Sequence, residues 1–194
     1  EMGQSESFVT WYINRTIIIN NIFSINKKVF VITGGLGQLG QLYVNEIIKR
    51  RGRVAVIDII KEEKIKDLSI SNVSNKDNFI YFSTDITNKN QLNEAANTIK
   101  NKWGSIDVLI NNAALDSPPD APEEEVGPFE NYPETSFDKV MNVNVKGTLF
   151  CCQVFGKIMA NQKQGVIINI SSIYGIGSPR QDIYDFRRKE GKIY

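Results

Sequence analysis

The sequence predicts an α/β fold with a doubly wound parallel sheet. Short apolar runs alternate with helical patterns along most of the 194 residues. Each run is continuously apolar, which is typical of parallel strands covered on both faces. A turn that contains Gly34, Gly37 and Gly40 joins the first run directly to a helical pattern. Together these features favour a sheet of the Rossmann type, with strand order 3-2-1-4-5.

Each predicted element follows from its local pattern. The first helix follows the glycine turn and is expected to end at Gly52. The second is expected to begin with Thr87 as its cap and to stop at Gly104. The third is expected to open at Thr135, in a start that is similar to a capping box, and to run to about residue 162. A weaker helical pattern covers 60–72, and the predicted strands are about 28–33, 53–58, 79–82, 106–110 and 166–170.

Composition excludes several classes of function. The chain carries 23 basic and 22 acidic residues, so its charge does not indicate a nucleic-acid or anionic-membrane partner. No apolar run approaches the roughly 20 residues that span a bilayer, and the first residues do not show the basic-then-apolar order of a secretory signal. We therefore expect a cytoplasmic protein, with Cys151 and Cys152 as small core residues. The absence of histidine excludes imidazole chemistry from this chain.

The ends of the sequence suggest a fragment. Residues 1–27 lack clear periodicity and are predicted to form an N-terminal arm, while 28–194 form the dinucleotide-binding domain. The segment from Ser178 onwards is polar and contains no closing element. We therefore expect the domain to be incomplete at its C-terminal end, with the later strands of the sheet missing.

The glycine turn predicts a dinucleotide site. Backbone N–H groups at a helix N-terminus, together with the positive end of the helix dipole, suit a diphosphate. Asp58 ends the second strand about 20 residues further on, where a carboxylate can bind the ribose hydroxyls of an adenosine. Since Asp58 would repel a 2′-phosphate and the turn contains no Lys or Arg, NAD is favoured over NADP.

Other polar residues follow the later strands. Asp85 could meet the adenine edge or cap a helix, and Asn111–Ala114 leaves the fourth strand at the crevice where such sheets bind ligands. Asn144 lies inside an apolar helix and needs partners there. Ser172 follows the fifth strand and could donate to a substrate carbonyl or form a turn. The acidic loop at 116–130 lacks a convincing metal-ligand spacing, so no metal is expected.

Taken together, and in the order in which they occur along the chain, these motifs resemble those of the short-chain dehydrogenase/reductase family. The resemblance covers about residues 28–175. The resemblance implies that Ser172 orients the substrate oxygen and that Asn144 holds a water in a proton relay. It also implies a small-molecule substrate and, for the parent protein, a homo-oligomer. The implied cofactor-binding residues are Gly34, Gly37, Gln38, Leu39, Asp58, Asp85, Ile86, Asn112, Ala113 and Ala114.

The chain departs from the family pattern at three places. Glycine stands at position 37 where many members have it at 38, and Ala114 replaces a usual glycine. Members also use a tyrosine as acid/base with a lysine four residues later, whereas here Tyr184 is followed by Arg188. The stretch from Ser172 to Tyr184 is similar to a sub-branch associated with bacterial sugar and surface-glycan modification. In that sub-branch the Tyr and Lys follow an insertion, which would put them beyond Tyr194.

The resemblance thus implies an NAD-dependent oxidoreductase that interconverts an alcohol and a carbonyl, on a sugar-type substrate in the sub-branch that the chain resembles. The 194-residue chain itself is expected to lack the catalytic pair and to be inactive. Two alternatives stay open at this point. One is a non-catalytic module that binds a dinucleotide, and the other is an extended-branch sugar epimerase or dehydratase, suggested by the glycine spacing.

Overall fold

Five parallel strands form the centre of the computed structural model. They are β1 (Val29–Thr33), β2 (Arg53–Asp58), β3 (Phe79–Ser83), β4 (Val108–Asn111) and β5 (Val166–Asn169). Their order in the sheet is β3-β2-β1-β4-β5, which confirms the predicted topology. Because every neighbouring pair is parallel, the carboxyl ends of all five strands lie at the same edge.

Helices and turns connect these strands. The structure describes residues 23–61, 77–116, 125, 129–178, 180, 182 and 185–189. Most of the predicted arm, most of the 60–72 helix and most of the acidic loop therefore lie outside the described residues. Within them, no helix is both long and apolar enough to cross a membrane. The helices are α1 (Gln38–Lys49), α2 (Lys89–Trp103), α3 (Glu134–Met141), α4 (Thr148–Gln162) and α5 (Asp185–Lys189), with short 3₁₀ turns at Phe129–Asn131 and Ile173–Gly175.

The core lies on both faces of the sheet, as continuous apolar strands predict. Alternate residues of each strand point to opposite faces. On one face, residues such as Val31 and Leu109 pack against α2 and α4, with Phe155 fully buried among them. On the other face, residues such as Ile32 and Val56 pack against α1. This two-sided burial is the source of the hydrophobic stabilisation of the sheet.

The helix ends differ from several expectations. Asn88, not Thr87, caps α2, because its side chain accepts hydrogen bonds from the N–H groups of Asn90 and Gln91. Thr87 instead donates its hydroxyl and its N–H to Asp85, each at 2.8 Å. The stop at Gly104 is confirmed, since this residue adopts a left-handed φ of 80°.

Two further caps were predicted wrongly. The helix α1 is capped by Arg50, and Gly52 closes the turn afterwards by donating its N–H to the carbonyl of Ile47 at 2.9 Å. The helix α3 begins one residue before Thr135 and has no side-chain cap, so the capping box does not form. At the end of α1 the N–H groups of Arg50 and Arg51 already donate to carbonyls of the last turn, and at the start of α3 those of Ser136 and Phe137 donate to the carbonyl of Pro133.

The long predicted helix is interrupted. A π-helical segment, Asn142–Gly147, separates α3 from α4. A Cβ on Gly147 would lie 2.6 Å from Ile86 Cδ1, so glycine allows this segment to approach the loop after β3 closely. Segments of π-helix are rare and often lie at functional sites.

The two edge strands are less buried than the centre of the sheet: β3 is half-buried and β5 is exposed. All four residues of β5 are exposed, with Val166 at 55% and Ile168 at 42%. Ile167 approaches α4 at Gly156 on one face. No strand pairs with the outer edge of β5 in the part of the chain that the structure describes.

Candidate functional site

A cleft of about 820 Å³ opens beside the carboxyl ends of β1, β2, β3 and β4. Volumes of roughly 300–1,000 Å³ are typical of cofactor and small-ligand sites. The ten residues predicted to bind the cofactor all line this cleft, whereas Ser172 and Asn144 do not. The lining is Gly34, Gly37, Gln38, Leu39, Ile57, Asp58, Ile59, Ile60, Thr84, Asp85, Ile86, Thr87, Asn112, Ala113, Ala114, Leu115, Asp116, Lys139, Asn142 and Val143.

The glycine turn forms one wall of the cleft. Gly34 has a φ of +62°, and a Cβ placed on it would lie 2.8 Å from the Cα of Ala113. A Cβ on Gly40 would lie 2.6 Å from the Cα of Gly35, so α1 can start close beside the turn. Gly37 caps α1 without any side-chain hydrogen bond. The first turn of α1 therefore presents uncapped N–H groups and a positive dipole end to an anion.

Asp58 forms the adjoining wall. It is the last residue of β2 and is only 8% exposed. One carboxylate oxygen accepts the Leu36 N–H at 3.0 Å, and the other accepts the Ile60 N–H at 3.2 Å. These two bonds hold the carboxylate between the glycine turn and the loop after β2. An ionised carboxylate has about four lone-pair sites, so it can still accept hydrogen bonds from a ligand's hydroxyl groups.

Thr33 joins the turn to the loop after β4. Its hydroxyl oxygen accepts the N–H groups of Asn112 and Ala113, each at 3.1 Å. The side-chain amide of Asn112 donates to the carbonyls of Thr33 and Gly34, at 3.1 and 3.0 Å. Thr33 is 1% exposed. These four bonds fix the two loops that line the cleft relative to each other.

The loop after β3 lines the far end of the cleft through Asp85 and Ile86. Asp85 caps the turn before α2, because one of its oxygens accepts from both groups of Thr87. Its N–H also donates to the side chain of Gln91 at 3.2 Å. Ile86 is buried and contacts Gly147 of the π-helical segment. The structure therefore gives Asp85 a local capping contact while it also lines the cleft.

Asn144 lies in the π-helical segment, just behind the cleft. Its side-chain oxygen accepts the Leu115 N–H at 2.7 Å, and its amide donates to the Leu115 carbonyl at 2.9 Å. Leu115 itself lines the cleft. The side chain of Asn144 is thus satisfied by the loop after β4, which it ties to the helix.

Ser172 lies in the exposed loop beyond β5. Its hydroxyl oxygen accepts the Tyr174 N–H at 3.2 Å and caps a short 3₁₀ turn. Tyr184 lies outside the described residues, and the side chain of Arg188 is likewise not described. No group of three or more Cys, Asp or Glu residues suitable for a metal ion occurs among the described side chains.

Sequence reasoning missed several residues of the cleft. Thr33 does not line the cleft but joins two of its loops, and a polar residue at a strand end beside a glycine turn was a usable signal for it. Val143, Asn142 and Lys139 reach the cleft from α3 and the π-helical segment. Nothing in their local sequence indicates this, because they are brought there by the packing of the helix against the sheet.

Parallel strands, a glycine turn and a carboxylate at the end of the second strand define a dinucleotide-binding class of Rossmann protein. Comparison with known proteins agrees. The family model for short chain dehydrogenases matches residues 28–185, and the chain belongs to this family of oxidoreductases. The expected resemblance is confirmed at the family level, while the glycan-related sub-branch stays a prediction.

Individual relatives are similar in sequence and in structure. Sorbitol-6-phosphate 2-dehydrogenase of Klebsiella pneumoniae is 31% identical over 169 residues, which is 86% of this chain and 60% of that protein. A short chain dehydrogenase of Leptospira borgpetersenii, solved with bound NAD⁺, is 25% identical with a TM-score of 0.71, covering 95% of this chain and 63% of that one. ElxO, solved with NADP bound, is 32% identical with a TM-score of 0.69, covering 81% and 60%.

The chain spans about 60% of the length of the curated sorbitol-6-phosphate relative. The remaining residues of that relative have no counterpart in the alignment with this chain, and its activity belongs to the whole of that protein.

Proposed function

We propose that this chain binds NAD, as the cofactor-binding part of an oxidoreductase that interconverts an alcohol and a carbonyl. The observation that carries the proposal is that the uncapped start of α1 and the carboxylate of Asp58 line one cleft. The helix start suits the diphosphate, and the carboxylate suits the ribose hydroxyls. The loop Asn112–Ala114, held by Thr33, would support the nicotinamide side, and Asp85 and Ile86 the adenine.

The charges of the cleft favour NAD over NADP. A 2′-phosphate would bring its negative charge beside Asp58, and Asp85 and Asp116 add to the negative charge of the lining. Lys139 is the one cation among the lining residues that the structure describes, and it stands on α3, not in the glycine turn.

Within the reaction, the bound cofactor would supply the hydride acceptor or donor. Ser172 would donate a hydrogen bond from its hydroxyl to the oxygen of the substrate. Asn144 would hold a water that relays the proton, through the N–H and the lone pair that its two bonds to Leu115 leave over. The proton itself needs a base, and a free phenol with a pKa of about 10 is a poor base at neutral pH. No tyrosine of the 194 residues has a lysine four positions later. We therefore propose that the 194-residue chain binds NAD with negligible turnover.

The substrate class rests on similarity. The relative from Klebsiella pneumoniae is a dehydrogenase of a sugar-alcohol phosphate by its name. We propose a sugar-type substrate, either a polyol or its carbonyl counterpart, for the protein of which this cleft is a part.

Calorimetric titration of the purified chain with NAD and with NADP tests the cofactor. We expect NAD to bind at least about ten-fold more tightly, and Asp58→Asn to lose roughly 10- to 100-fold of NAD affinity, because hydrogen bonds to a charged group contribute about 1.5–3 kcal/mol. Asn keeps the size of the side chain and one acceptor oxygen. Glu94→Gln on the exposed face of α2 removes the same charge away from the cleft and serves as the control.

Three results would contradict the proposal. The first is tighter binding of NADP, and the second is an Asp58→Asn variant whose NAD affinity and preference equal those of the wild type. The third is reduction of NAD by a polyol at an ordinary enzyme rate, about 1 s⁻¹ or faster, since it would show that a base is present in this chain.

A further inference from the structure

We propose that Asn111 and Asn169 form an amide clamp that sets the position of Ser172 relative to the cofactor loop Asn112–Ala114. The two asparagines are then positioning residues and take no part in the chemistry. The inference rests on the proposed function, in which Ser172 orients the substrate oxygen.

The clamp joins the last residues of two neighbouring strands. Asn111 ends β4, Asn169 ends β5, and the two are register partners. The side-chain amide of Asn111 donates to the side-chain oxygen of Asn169 at 2.8 Å. The main chain adds a bond beside it, because the Ile170 N–H donates to the carbonyl of Asn111 at 3.0 Å. The side chains thus provide one more cross-strand contact at the point where the ladder ends.

Each asparagine of the clamp is followed in sequence by a residue of the proposed site. Asn112 comes directly after Asn111 and is bonded to Thr33 and to the glycine turn. Ser172 comes three residues after Asn169, in an exposed loop where its hydroxyl bonds to Tyr174 of the same turn. One side of the clamp is therefore firmly attached to the cleft, and the other leads directly to Ser172.

The burial of Asn111 argues against a purely stabilising role. The residue is 5% exposed, and its Oδ1 has no hydrogen-bond partner among the described residues. An unsatisfied buried acceptor destabilises the folded state, whereas an apolar side chain at this strand position would not. The amide of Asn111 also donates to the Sγ of Cys152 on α4 at 3.3 Å, and that Sγ lies 4.0 Å from the Oδ1 of Asn169. The Asn111 amide therefore carries the cost of one unsatisfied buried oxygen, and the shorter of its two hydrogen bonds, at 2.8 Å, joins the end of β4 to the end of β5.

Correct placement matters for a group such as Ser172. A hydroxyl that orients a substrate must lie within hydrogen-bond distance of the reacting oxygen, and an error of 1 Å can cost about 100-fold in rate. The clamp controls this distance from the strand ends, because it restrains the start of the loop that carries Ser172.

Amide hydrogen exchange measured by NMR tests the clamp in the full 194-residue chain. The key variants are Asn169→Ala, which removes the acceptor, and Asn169→Asp, which keeps it. Val166→Ala, at the opposite end of β5, is the matched control on the same exposed strand. We expect Asn169→Ala to speed exchange at Ile170 and Tyr174 about ten-fold, the equivalent of one hydrogen bond. Asn169→Asp and Val166→Ala should leave both amides within about two-fold of the wild type.

A purely structural role predicts a different pattern, in which exchange speeds up uniformly through β4, β5 and α4 and the urea midpoint falls. That pattern would overturn the proposal. So would unchanged exchange at Tyr174 in Asn169→Ala, or an Asn169→Asp variant that fails to restore protection. The affinity for NAD is measured in parallel and should stay within about two-fold in all three variants. If the wild type itself does not bind NAD, the proposed function fails, whereas the exchange pattern still decides whether the clamp exists.

Discussion

The close approach of Gly34 to Ala113 makes a quantitative prediction. Replacing Gly34 by Ala imposes two costs. Its φ of +62° lies in the left-handed region, which costs an L-residue about 1–2 kcal/mol. Its Cβ would also lie 2.8 Å from the Cα and 3.0 Å from the N of Ala113, so the backbone must move, with an overpacking cost of about 1–3 kcal/mol. After allowance for the reduced entropy of the unfolded chain, we expect Gly34→Ala to lose about 2–4 kcal/mol.

Gly104 offers a matched control that separates these two costs. It has a φ of 80°, and nothing lies within 4 Å of the position of its Cβ. Gly104→Ala therefore carries only the backbone cost, and we expect a loss of about 1 kcal/mol. Gly177 has neither a left-handed φ nor a neighbour within 4 Å, so Gly177→Ala should change the stability little.

Urea unfolding at 25 °C, analysed with a common m-value, gives the free energy of unfolding for each variant. The NAD affinity is measured beside it. We expect Gly34→Ala alone to lose both stability and NAD affinity, because Ala113 lines the cleft. Equal losses of stability in Gly34→Ala and Gly104→Ala would refute the reasoning, since the contact between the glycine turn and the loop after β4 would then carry no cost.

Two further predictions concern buried polar groups. Burial, and to a smaller extent the neighbouring Cys152, raises the pKa of the Cys151 thiol from an ordinary 9.0 to about 12. The stability that the neutral thiol contributes is therefore complete below pH 9 and is lost as the pH rises towards 12, by up to about 4 kcal/mol. Between pH 8 and 11, the free energy of unfolding measured in urea should fall less steeply in Cys151→Ala than in the wild type. Equal slopes in the two proteins would contradict this. Thr33→Val leaves the N–H groups of Asn112 and Ala113 without their acceptor and should cost about 2–4 kcal/mol of unfolding free energy, whereas Thr33→Ser should cost less than half as much.

The fold class was predictable because it depends on patterns local to the sequence, and the strand order and the position of the cofactor cleft follow from that class. A continuous apolar run predicts a strand buried on both faces, and the glycine turn predicts the connection from that strand to a helix. The acid at the end of the next strand predicts a contact with the ligand. Parallel strands all end at one edge, so residues as distant in sequence as Gly34, Asp85 and Asn112 must meet there. Their roles toward a ligand stay predictions, although their convergence is observed.

Helix caps were less predictable because several residues near a helix end can satisfy the same backbone groups. Asn88 and Thr87 both suit the start of α2, and the structure uses Asn88 as the cap because Thr87 bonds to Asp85. Gly52 suited the end of α1, but Arg51 adopts the left-handed conformation there, with a φ of 63°. Local propensity is a weak preference, and tertiary contacts decide between near-equal alternatives.

By itself, the sequence determined the class of fold and the glycine turn at the start of α1, since each is encoded within a short segment of chain. The strand order followed from that class of fold, although it pairs strands as distant in sequence as β1 and β4. Only the tertiary structure decided that Asn144 binds Leu115, that Thr33 joins the two loops of the cleft, and that Asn111 meets Asn169. These contacts join residues separated by 29 to 80 positions. The packing of helices against strands determines which residues form these contacts, and the periodicity within one segment does not predict them.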